Sequence, residues 1–247
     1  MIVAAALPGI PEVVAGDDLA ALLAAAAGRP ADGDVLVVAH KVVSKAEGRT
    51  VSLVDVQPGE RAVALAAEHG KDARVVETIL RESSAIVRSR PGLLICRTHR
   101  GFVCANAGVD ASNAGAAGEL VLLPADPDGS ARALRRRLRE LTGVAPAVVI
   151  ADSFGRAWRV GQCDVAIGIA GLAPLEDWRG RPDAAGRTLE ATIVAIADEA
   201  AAAADLTRGK DTREPAVLVR GLERHVSDGD GPGAAALVRA PADDLFL

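Results

Sequence analysis

Aromatic residues are scarce in this chain of 247: three Phe, two Trp and no Tyr. A platform that stacks nucleic-acid bases needs rings, and a nucleic-acid surface of any kind needs an excess of positive charge. Neither is present, since 28 Lys and Arg stand against 33 Asp and Glu for a net charge of −5, so no nucleic-acid partner is expected. Cysteine is sparse as well. Cys96, Cys104 and Cys163 are odd in number, form no CxxC pair and lie in or beside apolar runs, which reads as buried thiols of a reducing compartment and speaks against zinc. No run approaches about 18 apolar residues free of charge, and the N-terminus lacks the basic flank of a signal peptide. The expectation is therefore a soluble, cytoplasmic protein with no membrane partner. Nucleotide fingerprints are missing too. Gly209-Lys210 has neither the upstream glycine nor the Ser or Thr of GxxxxGK[ST], no GxGxxG follows a strand, and HExxH and GxSxG do not occur.

What the chain does have is aliphatic bulk. Half of its residues are hydrophobic, enough for one large domain or two small ones with a core. Periodicity and turn residues predict strands at 3–7 and 35–39, helices over 18–27, 60–69 and 72–83, then short strands at 86–87, 93–96, 102–105 and 120–123, which implies a largely antiparallel middle. A helix over 130–141 carries Arg132, Arg135, Arg136, Arg137 and Arg139. With Leu134, Leu138 and Leu141 as its inward stripe, the arginines read as a solvated face. Strands at 147–151, 164–169 and 215–219 and a long Ala-rich helix over 188–204 complete a mixed α/β chain without internal repeats.

Polar residues gather in three places. After the turn His99-Arg100-Gly101 come Asn106, Asp110, Ser112 and Asn113 around Gly108, an arrangement that suits oxygen ligands for a hard cation or partners for phosphate. The same residue types also cap turns by bonding their own backbone. The strand at 35–39 empties into His40, Lys41, Ser44, Lys45 and Gly48, which can meet a polyanion or end as a solvated loop. The third cluster, Asp152-Ser153-Phe154-Gly155-Arg156, again sets a carboxylate and a hydroxyl at a strand end. Two separated Asp-plus-hydroxyl clusters and two lysine-bearing loops suit metal-assisted chemistry on phosphate.

The stretches Phe102-Val103-Cys104-Ala105-Asn106-Ala107-Gly108-Val109-Asp110-Ala111-Ser112-Asn113, Asp152-Ser153-Phe154-Gly155-Arg156 and Asp164-Val165-Ala166-Ile167-Gly168-Ile169-Ala170-Gly171 closely resemble the coenzyme F420:L-glutamate ligase family. Leu7-Pro8-Gly9-Ile10, Ser44-Lys45-Ala46-Glu47-Gly48 and Val219-Arg220-Gly221-Leu222 agree in order and spacing. The resemblance implies use of GTP to join L-glutamate to the lactyl carboxylate of coenzyme F420-0, then addition of a γ-linked glutamate to F420-1. It also implies Mg²⁺ or Mn²⁺, two per site, with K⁺, and an intertwined homodimer of mixed α/β fold with a largely antiparallel sheet, the ligase domain filling 1–247. Carried over by position, Leu7, Pro8, Gly9, Ile10, His40, Lys45 and Asn113 match GTP contacts. Asp110 and Asp152 match ligands of one metal, and Ser153 matches the hydroxyl that touches a second. His40 stands where the family often has serine, and Lys210 where relatives tend to have glutamine. Asp110, Asp152 and Lys45 are the expected catalytic residues. Some relatives continue into a flavin-binding reductase-like domain, which is not expected in this chain. Two other classes use the same residues: a metal-dependent phosphohydrolase, and a non-catalytic nucleotide- or deazaflavin-binding module.

Overall fold

The computed structural model describes residues 1–112 and 118–244. In chain order the elements are β1 (Val3–Ala6), α1 (Leu19–Ala27), β2 (Val35–Ala39), α2 (His40–Ala46), β3 (Thr50–Ser52), α3 (Glu60–His69), α4 (Ala73–Arg81), β4 (Ser83–Arg90), β5 (Leu93–Thr98), β6 (Val103–Ala105), β7 (Glu119–Val121), α5 (Pro127–Thr142), β8 (Ala147–Arg156), β9 (Arg159–Ala170), β10 (Glu176–Asp177), β11 (Ile193–Val194), α6 (Ile196–Asp205) and β12 (Ala216–Arg220). Five strands form the main sheet in the order β1-β12-β2-β8-β9. Only β2 and β8 run parallel among the described pairings; the others are antiparallel. The class is mixed α/β, as the sequence implies.

Alternation along buried strands sorts the core into two faces. On one face Leu36, Val38, Val148, Ile150 and Ile167 meet Leu19 and Leu23 of α1 and Ala131, Leu134 and Leu138 of α5. On the other, Val35, Val37, Val149, Val217 and Ile169 meet Ala197, Ala200, Ala201 and Ala204 of α6. The small alanines let that helix lie close to the sheet, and aliphatic burial on both faces is the main favourable term. A third cluster, built on Val76, Ile79, Leu94, Cys96, Leu120 and Leu122, joins α3 and α4 to the β4-β5-β6 and β3-β7 sheets. The expected turn at His99-Arg100-Gly101 is present, with Gly101 at φ 89° and Thr98 N–H bonded to Phe102 O.

Three expectations need correction. Residues 40–46 form α2 rather than a loop, although the residue before it, Ala39, offers no side-chain cap. The helix expected over 188–204 begins only at Ile196; Ile193 and Val194 pair with β10 instead, in keeping with the β-branched residues there. In α5, Arg135 is 5% exposed whereas Leu141 is 42% exposed. The inward stripe is Ala131, Leu134, Arg135 and Leu138, spaced 3, 1 and 3 apart along one helix face. Arg135 reaches through the core to Ser227 O (2.6 Å), Asp228 O (3.0 Å) and the Asp230 carboxylate (3.0 Å).

Candidate active site

Strand direction decides where the polar segments meet. Because β1 and β2 are both antiparallel to β12, and β2 is parallel to β8, the strands β1, β2 and β8 all leave the sheet at one edge, where β12 enters. The turn after β1, the helix after β2, the middle of β8 and the 206–215 segment before β12 therefore collect there. Such a carboxyl edge of parallel strands is where open α/β sheets place ligands. In the turn, Leu7 and Ile10 are buried anchors and Gly9 takes φ 81°, leaving Pro8 and Gly9 on the outside.

Helix α2 reaches β8, the turn after β1 and the Asp110 segment. His40 is 2% exposed; its Nε2 lies 3.3 Å from Asp152 Oδ1 and its Nδ1 3.4 Å from Ser44 Oγ. A carboxylate only accepts, so Nε2 carries the hydrogen and donates to Asp152, while Nδ1 is bonded to the Ser44 hydroxyl. Lys41, the next residue, bonds Asp110 Oδ2 and Ser112 Oγ, both at 2.7 Å. Lys45 reaches back to Glu12 Oε1 at 2.5 Å, tying the first turn of the chain to α2. Consecutive residues of one helix thus hold the two aspartates.

Asp110 gets there by backbone pairing. Its N–H and C=O bond Val121 of β7, and β7 pairs with β3, which follows α2 directly. The approach runs through left-handed backbone at Asn106 and Ala107, both at φ 54°, then Gly108 at φ 74°, where a Cβ would meet Leu123 at 2.5 Å. Left-handed non-glycine residues cost about 1–2 kcal/mol each, a cost that packing of this segment must offset. Burial pushes the Asp110 carboxyl up, but the Lys41 and Ser112 bonds outweigh it and hold it below the ordinary carboxylate value. Ser112 N–H bonds Asp110 Oδ1 at 2.7 Å, so the turn-capping role is real and coexists with the Lys41 contact.

On β8 and β9, Ser153 stands opposite Asp164. Its hydroxyl donates to Asp164 Oδ1 at 2.5 Å and accepts from Lys210 Nζ at 3.0 Å; Arg208 bonds the other Asp164 oxygen at 2.6 Å. Asp164 is 1% exposed. Close by, Cys104 is pushed up to about 12 by burial first, then by the Asp152 charge and by Cys96, so its thiol stays protonated at neutral pH.

The edge therefore brings together Leu7, Pro8, Gly9, Ile10, His40, Lys45, Asp110, Asp152, Ser153 and Lys210. Asn113 lies outside the described residues. Glu12, Asp164 and Arg208 were not legible as site residues; the register of Ser153 against Asp164 across the β8–β9 hairpin was the available signal. As a hard-cation site the donor set fits: carboxylate and hydroxyl oxygens, with Asp152 Oδ2 bearing no hydrogen bond among the described residues and a Lys41 ammonium already set against Asp110. No group of three or more His, Cys, Asp or Glu side chains suited to a metal occurs among the described residues. Sparse protein ligation of this kind matches Mg²⁺, which keeps one or two carboxylates and takes its remaining ligands from substrate phosphates and water.

A mixed α/β fold that collects carboxylates, hydroxyls and lysines at one sheet edge is the frame of a small-molecule enzyme. The chain belongs to the F420-0:Gamma-glutamyl ligase family, whose sequence pattern matches residues 9–221. It is 51% identical over 233 residues to the Coenzyme F420:L-glutamate ligase of Methanopyrus kandleri, covering 94% of this chain and 92% of that one. It is 46% identical over 243 residues to the protein of the same name from Methanothermobacter thermautotrophicus, at 96% of both chains, and 49% identical over 215 residues to that of Archaeoglobus fulgidus, at 87% and 85%. These relatives support a ligase enzyme.

Proposed function

We propose that this chain is a GTP-dependent, GDP-forming ligase that joins L-glutamate to coenzyme F420-0 by an amide bond and then adds glutamate through a γ-linkage. The observation that carries the reading is the meeting of Leu7–Ile10, Lys45, Asp110 and Asp152 at one sheet edge, in a chain of this family. A carboxylate does not react with an amine at neutral pH because oxide would have to leave. Transfer of the γ-phosphoryl group to the lactyl carboxylate gives GDP and an acyl phosphate. The glutamate nitrogen then attacks the carbonyl carbon, phosphate leaves with the bonding pair, and the amine proton passes to solvent.

The turn Leu7–Ile10 offers exposed backbone to the nucleotide, held rigid by its two buried anchors. Lys45, once released from Glu12, supplies a point charge to phosphate oxygens. Lys41 is a second ammonium at the same edge. His40 keeps the Asp152 carboxylate fixed through its Nε2–H, and Ser44 fixes the ring. Asp164, Arg208 and Lys210 set the direction of the Ser153 hydroxyl. Mg²⁺ or Mn²⁺ held by Asp110 and Asp152, a second ion at Ser153 and K⁺ nearby would cancel charge on the β- and γ-phosphate oxygens. Without such a cation, two carboxylates beside a triphosphate would repel it.

Incubation with GTP, Mn²⁺ and glutamate should raise the mass of F420-0 by one and then two glutamyl residues, read by mass spectrometry. With hydroxylamine in place of glutamate, a hydroxamate of F420-0 should accumulate. GTP turnover that ignores both F420-0 and glutamate would make the protein a phosphohydrolase and overturn the ligase reading.

A further inference from the structure

A cavity of 430 Å³ lies along the β9 border of the sheet, within the size range of small-molecule sites. The chain has three phenylalanines, and two of them, Phe102 and Phe154, line this cavity together with Val103 and Val165; Arg97, Arg239, Asp198 and Asp244 stand at it as well, with Arg97 paired to Asp244 at 3.5 Å. Concentrating two-thirds of the phenylalanine of an aromatic-poor chain on one cavity suits a flat, conjugated guest, which packs against ring faces in offset or edge-on geometry.

Its place relative to the aspartates narrows the guest further. Phe154 follows Asp152 by two residues on β8, so both side chains leave the same side of the strand, about 7 Å apart along it. Val165 is the cross-strand partner of Asp152, and Val103 precedes the Cys104 that feels the Asp152 charge. The cavity thus adjoins the strand neighbours of Asp152 without being lined by Asp152 itself. The turn Leu7–Ile10 belongs to β1 at the opposite border of the sheet, and Lys45 follows β2, so β8 with Asp152 lies between the nucleotide side and the cavity. A guest spanning cavity and Asp152 is planar and aromatic at one end and anionic at the other, with the Arg239 guanidinium near it and the Arg97 guanidinium paired with Asp244.

We propose that this cavity receives the deazaflavin ring system of the substrate, directing the lactyl carboxylate toward Asp152. This rests on the ligase reading above. The test is equilibrium binding without glutamate, followed by deazaflavin fluorescence, with F420-0 and with the deazaflavin chromophore lacking the lactyl arm as probes, and GTP titrated separately. Phe154→Leu preserves apolar volume but removes the ring; it should weaken both deazaflavin probes about fivefold to tenfold and leave GTP unchanged. Phe154→Tyr should restore binding. Arg239→Gln, at an exposed position, should weaken F420-0 more than the chromophore alone, because only F420-0 carries the anionic arm. An unchanged deazaflavin affinity in a folded Phe154→Leu, or a loss confined to GTP, overturns the ring site and leaves the ligase reading standing. A parent protein that binds GTP but neither deazaflavin probe overturns the ligase reading, and the ring site with it.

Discussion

His40 and Lys41 are adjacent, yet one holds Asp152 and the other Asp110, so the two carboxylates can be tested as one unit. Asp152→Asn and Asp110→Asn each keep shape and lower ligand charge. Both should reduce ligase activity and raise the Mn²⁺ needed for half-maximal rate, with partial recovery at high Mn²⁺; the double variant should lose little beyond the worse single one. Full activity of either at ordinary Mn²⁺ would overturn the shared metal assignment and leave Asp110 as a turn cap and Asp152 as a partner of His40. Lys45→Ala removes a charged donor and should weaken GTP about tenfold or more, measured by calorimetric titration. Asp198 behaves oppositely to Asp110: burial raises its pKa, and only the Ala166 N–H pulls it back. Its folded state then holds the proton more tightly than the unfolded chain, so stability falls as pH rises from the ordinary carboxylate value through the folded one. Asp198→Asn keeps the acceptor without the charge. It should raise the melting temperature at pH 7 and leave it nearly unchanged at pH 3, by scanning calorimetry. The aspartates, Ser153 and Lys45 were legible in the sequence because their residue types are rare beside glycine-bent, apolar stretches. Asp164 was not, since only cross-strand register puts a mid-strand carboxylate opposite a serine eleven residues earlier.

At the scale of elements, α5 shows where a pattern was misread. Its five arginines suggested one solvated face, but the spacing that places Ala131, Leu134 and Leu138 inward places Arg135 there too. Arg135→Ala should cost about 2–3 kcal/mol by urea denaturation, because a buried guanidinium gives up its charge-assisted bonds to Ser227 O, Asp228 O and the Asp230 carboxylate. Arg136→Ala, on the exposed side, should stay within about 0.5 kcal/mol. Equal effects would mean that the buried network contributes nothing. Helix α2 was hidden for a different reason: it has no capping side chain and carries β-branched Val42 and Val43. What holds it is tertiary, namely Val43 in the core and bonds from Lys41 and Lys45 to distant carboxylates. The converse holds over 188–195, where alanine further along drew the helical reading backward into a non-helical segment that ends in the short strand β11.

For the whole molecule, the mixed class and antiparallel middle followed from period and turn residues, whereas the shared edge did not. It depends on β1 and β2 both pairing with the last strand of the chain, a relation no local pattern carries. The β8–β9 hairpin runs on past the sheet to a tip where Trp158 is 79% and Val160 96% exposed. Apolar side chains held out on an arm favour a partner surface, and the homodimer expected from composition and family resemblance would cover them. Light scattering at micromolar protein should give twice 25.2 kDa; a species of 25.2 kDa alone would defeat the dimer. Among the described residues no helix is long and apolar enough to cross a membrane.

The parallel ladder of β2 and β8 ends at Ala39 opposite Ala151, one residue short of both His40 and Asp152. Those strands are about 110 residues apart in the chain, and closing so long a loop loses entropy before any contact offsets it. The imidazole and the carboxylate therefore meet only when this long-range pairing has formed. During refolding, metal affinity should therefore appear together with the β2–β8 pairing and not before it, so a chain in which that ladder has not formed has no assembled His40–Asp152 pair.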